Sequence, residues 1–431
     1  MASSNQRPIA VDLFAGAGGM TLGFEQAGFD VLAAVELDPI HASVHEYNFP
    51  FWTTICQSVT KTTAREIRSR SAIGDRDIDV VFGGPPCQGF SLIGKRDLAD
   101  DRNSLVLHFV RLVLELQPKF FVMENVRGMT IGKQKQVLQS VIEKLQAYGY
   151  EVKENYQVLN AANYGVPQNR LRLFLVGCQK GLKLPDYPLA LTQPPANRAS
   201  KNKTQKNDYL PPTPNVKEAI GDIPEVNHYP ELEVRDWVIA NHGQPSLYAS
   251  QLRNLIVADD DYSYSRIYNS NLLTCSRRTK HTETTIARFA ATIPGKSDRI
   301  SHFHRLDSNG LCTTLRAGTA SNRGAYTSPR PIHPLTPRCI TVREAARLHS
   351  YPDWFMFHAT KWHGFRQIGN SVPPLLAKAV AKQIIKALEI TLVKPQPEYN
   401  LARTELLHFK MTQAEKYHHL ETKAIARRKR P

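Results

Sequence analysis

One cysteine, two carboxylates and a pair of arginines stand at positions where short apolar runs end, the places where an α/β sheet exposes its chemistry. Cys87 is the centre of GGPPCQGFS, residues 83–91, and follows the apolar run 78–82, which reads as a buried parallel strand. Two glycines and two prolines stop that strand, so the thiol falls in a loop at its carboxyl end, where open α/β sheets bind ligands. A lone cysteine is commonly just a small buried hydrophobe. Here Pro85 and Pro86 stiffen the chain before the thiol and Gly89 frees it afterwards. That suits a nucleophile on a loop that closes over its substrate. Glu124 ends the next apolar run, 120–123, and its carboxyl converges on the same cleft. In QNRLR, residues 168–172, the period of an extended segment puts Arg170 and Arg172 on one face. Two guanidinium groups aimed at a cleft can hold a carboxylate or a base carbonyl.

A second group of residues has the spacing of a cofactor cradle. The run 9–14 reads as a strand, AGAGG follows it, and 20–27 reads as a helix. Such a turn lets a ligand approach the backbone at a helix amino end. The next strand, 31–35, runs into Glu36, placed to accept hydrogen bonds from ribose hydroxyls. A nicotinamide dinucleotide would use the same geometry. Its fingerprint is G-x-G-x-x-G, however, whereas Gly16, Gly18, Gly19 and Gly23 give G-x-G-G-x-x-x-G. His41 and His45 have the i, i+4 spacing of metal ligands, but no further ligand accompanies them and a helix face explains the pair.

The elements that position these groups alternate as strand and helix up to about residue 180, with helices expected over 105–117 and 133–148, one strand over 150–159 and another over 173–176. The segment 95–103, KRDLADDRN, has the polarity of a solvated lid. From 185 to 214 the composition turns to Pro, Asn, Lys and Ser, the best candidate for a domain boundary. Between 190 and 335 the alternation is lost and basic clusters appear, among them Arg277, Arg278, Lys280 and Arg288. Thr341 with Glu344 three residues on forms a capping box that opens a helix, and QIGNSVPP, 367–374, leads into a helix over 375–388. From about 395 the chain is polar and basic and reads as a frayed, phosphate-seeking tail.

The chain has 431 residues, a formal charge of +16 and six cysteines with no C-x-x-C pair. That length suggests two domains, and the cysteine pattern suggests neither a disulfide framework nor a zinc ribbon. No segment has the apolar length of a membrane span or the pattern of a leader, so a cytoplasmic protein is expected. The charge favours a polyanionic partner without specifying which.

FAGAGG, VELD, GGPPCQGFS, ENV, QNRLR, TVREAARL and QIGNSVPP, in this order, resemble the motifs of the bacterial-type DNA (cytosine-5)-methyltransferases. The resemblance implies an α/β fold: an S-adenosylmethionine-dependent, Rossmann-like methyltransferase domain from 1–190 plus 335–392, and a smaller, irregular target-recognition domain from 191–334. Residues 393–431 remain as a basic C-terminal tail. It implies S-adenosylmethionine as cofactor, held by Phe14, Gly16, Gly18, Gly19, Glu36, Leu37, Ser58, Val59, Pro86, Leu105, Asn370 and Val372. At 57–59 this chain has Gln-Ser-Val where the family carries a GDI-like triplet, so Ser58 offers the adenine only a neutral acceptor. Double-stranded DNA is the implied partner, met by Gln88, Ser91, Arg277, Arg278, Thr314 and Arg316, with a monomer expected and a cognate restriction endonuclease left undecided. The implied catalytic groups are Cys87, Glu124, Arg170 and Arg172, and no metal is required. Cys87 adds to carbon 6 of a flipped-out cytosine, a protonated Glu124 serves ring nitrogen 3, Arg172 with Arg170 in support holds the base oxygen or orients the carboxyl, and 87–103 closes behind the base. A tRNA methyltransferase with the same motifs and a catalytically silent DNA-binding regulator are the alternatives. Amino-group methyltransferases are disfavoured, because their Asp-Pro-Pro-Tyr type motif is here Gly-Pro-Pro-Cys.

Overall fold

A computed structural model describes residues 7–86, 104–153, 155–195, 209–318 and 330–420. Apolar runs of four to seven residues, each stopped by a turn, become the central sheet: β1 (Ile9–Leu13), β2 (Asp30–Glu36), β3 (Thr53–Cys56), β4 (Val80–Gly83) and β5 (Phe120–Val126). Between them lie the helices α1 (Gly19–Ala27), α2 (Pro39–Asn48), α3 (Ala64–Arg70) and α4 (Ser104–Leu116). These five strands are parallel, in the order β3-β2-β1-β4-β5. The order reverses at β1, so the crevice between the carboxyl ends of β1 and β4 is where such a sheet binds a ligand.

After α5 (Lys133–Ala147) the expected strand over 150–159 is two short strands, β6 (Tyr150–Val152) and β7 (Gln157–Asn160). Both lie antiparallel along β8 (Leu171–Gln179), Val152 opposite Gly177 and Gln157 opposite Phe174. More residues separate 152 from 157 than separate their partners, so the ladder breaks where the surplus chain bulges. β8 in turn pairs antiparallel with β5.

The region 191–334 divides by packing. Short elements α6 (Val216–Ile220), β9 (Val238–Ile239), α7 (Leu247–Leu252), β10 (Ser265–Ile267) and β11 (Leu272–Leu273) send Val216, Tyr248, Leu273 and Cys275 into the core that also holds Phe24, Phe82 and Phe174. Arg266 of β10 is wholly buried against Glu25 of α1 at 2.8 Å and lies 4.6 Å from the Phe51 ring and 4.7 Å from that of Trp354. Beyond α8 (Glu283–Ala291), Phe289, Ile332 and Cys339 form a separate small cluster.

The chain then returns through α9 (Val342–Arg347), α10 (Lys361–Asn370) and α11 (Pro374–Leu388) onto the face of the sheet that carries α1. The capping box at Thr341 and Glu344 is present. The frayed tail expected from 395 is ordered up to Leu420. β12 (Glu398–Asn400) pairs with β10, Leu406 and Leu407 are buried, and Tyr417 of α12 (Met411–Tyr417) bonds Glu46 of α2 at 2.5 Å. Apolar residues 406, 407 and 414 are too sparse for a visible period, yet each meets core.

Glu344 does more than cap. Both its oxygens accept from Arg338, at 2.8 and 2.9 Å, in a site closed to water. Burial alone would lift this carboxyl, but Arg338 and His333 bring it down to about 2. A carboxyl lowered on folding stabilises fully above its ordinary pKa and loses that contribution as pH falls through the folded value. Glu344→Gln is therefore expected to cost about 3–5 kcal/mol at pH 7, the scale of a broken buried ion pair. The gap to the unmodified protein narrows as pH drops from about 4.5 toward 2. Urea unfolding of both proteins across that range measures it.

Candidate active site

β4 lies between β1 and β5, with Gly83 opposite Leu13 on one side and Met123 on the other. Its continuation Gly84–Pro85–Pro86 therefore rises from the middle of the crevice. Cys87, Gln88, Ser91 and the segment 95–103 lie outside the described residues; the stem that carries the cysteine does not. Asn125, at the end of β5, donates from Nδ2 to the Pro85 carbonyl at 2.9 Å. Gly84 takes the Glu124 carboxyl against its backbone, where a Cβ would come within 2.7 Å of Oε2. The stem is thus bonded to one residue of β5 and packed on the one before it.

Glu124 is only 9% exposed, and its Oε1 is 2.8 Å from Arg172 Nε. The antiparallel pairing of β5 with β8 produces this contact. Glu124 faces Phe174 and Val126 faces Arg172, so Glu124 and Arg172 are diagonal neighbours on one side of the sheet. Burial raises the Glu124 pKa, and the opposing pull of Arg172 and Arg170 does not cancel it. Such a carboxyl can carry a proton at a pH where ordinary glutamates are ionised, beside a guanidinium that stays cationic. The pair can protonate a ring nitrogen and hold the adjacent oxygen.

The two arginines expected together part company. Arg170 lies just before β8, fully buried, and donates to the carbonyls of Leu315 and Gly369 at 2.7 Å and of Ser371 at 2.8 Å. Its place is that of a clamp joining three chain segments behind the Glu124–Arg172 pair. Gln168 ties the 315 stretch to the end of α9 instead: its Oε1 accepts from Leu315 N at 3.1 Å, and its Nε2 donates to the Leu348 carbonyl at 3.1 Å.

The glycine turn lies at the neighbouring strand end. Glu36 accepts from Gly16 N on one oxygen and from Asp38 N on the other, both at 2.8 Å. Each oxygen keeps a second lone pair for a hydroxyl donor. Burial raises its pKa, partly offset by His41. Phe14 and Gly16 have φ of 67° and 58°, the left-handed region, and nothing lies within 4 Å of where a Gly16 Cβ would stand. The turn thus borders an open hollow. Gly18 caps α1 and Gly19 begins it. Leu37 and Asn370 are exposed, Leu105 is half-buried, Val372 is buried beside Gly19, and Pro86 is exposed at the stem. Val59 is packed into the lower core with its carbonyl taken by Arg111. The Ser58 hydroxyl is paired with that of Thr60 at 2.8 Å. His45 is no metal ligand: it lies buried between the Thr21 and Thr54 hydroxyls at 3.0 and 2.9 Å, and burial lowers its pKa to about 3.

On the recognition side, Thr314 donates from Oγ1 to the Asn169 carbonyl at 2.6 Å, and Arg316 is exposed next to it. Arg278 is tied to Glu233, while Arg277 is exposed and donates only to the Glu233 carbonyl among its described partners. Asn125 and Asp38, which fix the stem and the Glu36 carboxyl, were not singled out from sequence. The triplet ENV was the available signal for the first, and the second is an Asp-Pro helix cap.

A family model described as C-5 cytosine-specific DNA methylase matches residues 10–386. Type II methyltransferase M.XorII of Xanthomonas oryzae pv. oryzae is 56% identical over 425 residues, covering 99% of this chain and 96% of that protein. Type II methyltransferase M.DdeI of Desulfomicrobium norvegicum is 34% identical over 409 residues, covering 87% and 88%. Among solved structures, a DNA modification methyltransferase encoded within an E. coli prophage superposes with a TM-score of 0.70 at 33% identity, covering 89% of this chain and all of that one.

The electrostatics of the pair can be checked in the protein alone. Since Arg172 is the first of the charges that lower Glu124, Arg172→Gln is expected to raise the Glu124 pKa further above the ordinary range. The protonated-carboxyl infrared band, identified by its loss in Glu124→Gln, should persist to higher pH in that variant. A band that titrates at the same pH with and without Arg172 contradicts the assignment.

Proposed function

The chain belongs to the C-5 cytosine-specific DNA methylase family, and from that premise we propose that Cys87, Glu124 and Arg172 act together on one cytosine turned out of duplex DNA. The enzyme methylates carbon 5 of cytosine in DNA. S-adenosylmethionine is its cofactor and supplies the electrophilic methyl group when bound. The glycine turn fits that molecule: the hollow at Gly16 is open, and Glu36 offers one free lone pair on each oxygen to ribose hydroxyls.

Carbon 5 of cytosine is a poor nucleophile, so an electron pair has to be pushed into the ring first. The Cys87 thiolate forms a bond from sulfur to carbon 6. Negative charge builds on the ring, and Glu124 delivers its proton to nitrogen 3 as that bond forms, leaving its carboxylate paired with Arg172. Arg172 faces the base oxygen with its remaining N–H groups. After carbon 5 is methylated, its proton passes to water, the sulfur departs as thiolate and nitrogen 3 returns its proton to the Glu124 carboxylate, which restores the aromatic ring and the starting state of the enzyme. Carbon 6 is covered by neighbouring bases in a stacked duplex, which is why the base has to leave the stack. The observation that carries this reading is the buried Glu124–Arg172 pair packed against Gly84, three residues before the cysteine.

Residues 1–190 with 335–392 form the catalytic part in this proposal. The segment 191–334 is the recognition part; within it Phe289 and Ile332 join Cys339 in a small cluster of their own, while Leu306, Cys312 and Leu315 pack into the common core. Relatives named type II methyltransferases favour membership of a restriction-modification pair, with the endonuclease as a separate protein. One chain supplies every group named above, so a monomer suffices.

Cys87→Ser is expected to bind duplex DNA within a few-fold of the unmodified protein while methyl transfer from labelled cofactor falls below detection. With duplex containing 5-fluorocytosine and cofactor, the unmodified protein should form a denaturant-resistant adduct and the variant none. An equal yield of adduct from both overturns the role of Cys87. Separately, Glu124→Gln should lower turnover by about 10²–10⁴-fold, the range of a lost general acid. Single-turnover methylation separates that effect from DNA binding.

A further inference from the structure

α10 has a buried side and an open one. Phe365, Gln367 and Ile368 are in the core, while Trp362 is 44% exposed and the Arg366 guanidinium lies 5.3 Å from its ring. At the helix start Lys361 Nζ donates to the Arg278 carbonyl at 2.8 Å and to Thr279 Oγ1 at 3.1 Å. Arg330 stands 5.9 Å from the Phe365 ring. At the helix end Gly369 packs on the backbone of Arg316 and Ala317, 2.3 Å from where a Cβ would stand. One helix is thus flanked by the arginine-bearing stretches 277–280, 316–317 and 330.

The charges there are held close at a cost. Burial, Arg330 and Arg277 together lower the Lys361 pKa, whereas that of His363 is lowered chiefly by burial and His358, against Asp38, with Arg366 adding least. Glu233, the carboxylate on this side, is engaged by Arg278 and Lys280. Like charges held together repel in the free protein and are relieved by a polyanion, whose released counterions drive binding. An exposed tryptophan with an arginine stacked on it gains further from being covered.

We propose that the open face of α10, centred on Trp362 and Arg366, is a sequence-independent contact with duplex DNA that grips the backbone flanking the target site. This rests on the DNA-methylating function above and extends it to the DNA beyond the target. Its position beside Arg316 and Arg277 makes it continuous with the recognition side. Phosphates meet the cations, and the Trp362–Arg366 plate covers sugar and backbone.

The test uses full-length protein and a labelled mixed-sequence duplex of about 30 base pairs, with affinity followed against salt. Each cation that contacts a phosphate adds about 0.9 to the slope of log affinity on log salt. Arg366→Gln is expected to reduce the slope by about one and the affinity near 0.1 M salt by roughly tenfold. Arg366→Lys should retain the slope, which separates charge from fold, and Trp362→Ala should weaken binding with the slope unchanged. Lys144→Gln, on α5, should change neither. An Arg366→Gln slope equal to that of the unmodified protein rejects the surface, as does an equal drop in Lys144→Gln. If the unmodified protein fails to transfer labelled methyl groups to unmodified genomic DNA, the functional reading fails first and the surface falls with it.

Discussion

A carboxyl nearly closed to water, with a guanidinium 2.8 Å away, is the constraint on which the rest of this site depends. The two effects on Glu124 oppose each other. Desolvation favours the neutral acid, and Arg172 favours the carboxylate. Desolvation wins, so the group can hold a proton, while Arg172 keeps the conjugate base from becoming an isolated buried charge. Either influence alone would fail: a solvated carboxyl beside arginine stays ionised, and a buried one without a cation resists giving up its proton. The balance requires two strands side by side in one register, and the antiparallel run of β8 against β5 supplies it.

Arginine is also the staple that draws distant stretches of chain onto this sheet. Arg170 binds the carbonyls of 315, 369 and 371; Arg266 binds Glu25; Arg347 binds Asp222 at 2.5 Å and Asp353 at 2.7 Å; Arg338 binds Glu225 and Glu344. All four guanidinium groups are buried. A planar fork with five donors can satisfy several carbonyls or carboxylates at once, which a lysine cannot. The formal charge of +16 is therefore not all available to a partner, because some of its cations are spent inside the fold.

The sequence announced the parts whose local signals agree with their tertiary role. Apolar runs followed by glycine or proline became β1 and β4, and Thr341 with Glu344 marked a helix start because a capping box is local chemistry. Parts that depend on distant partners were silent. The break between β6 and β7 is set by its mismatch with β8, and the order of residues 398–417 by β10 and α2. Arg170 and Arg172 share a face by period two, but only Arg172 lies within β8; Arg170 precedes it and enters the core between 315 and 371. Segments such as 216–275 carry no period long enough to read, although they bury their apolar residues in the common core. Ser58 looked like a free acceptor because its neighbour Thr60 gave no sign that it would occupy the hydroxyl.

The stem before Cys87 is held by β5, through a glycine and a carbonyl. Gly84 must lack a side chain for the Glu124 carboxyl to press on it, and Pro85 offers only a carbonyl, which Asn125 takes. A proline nitrogen has no hydrogen to satisfy, so the stem can sit in a low-dielectric crevice without orphaned donors. Glu124 and the stem that leads to Cys87 are brought together by two adjacent strand ends, those of β4 and β5.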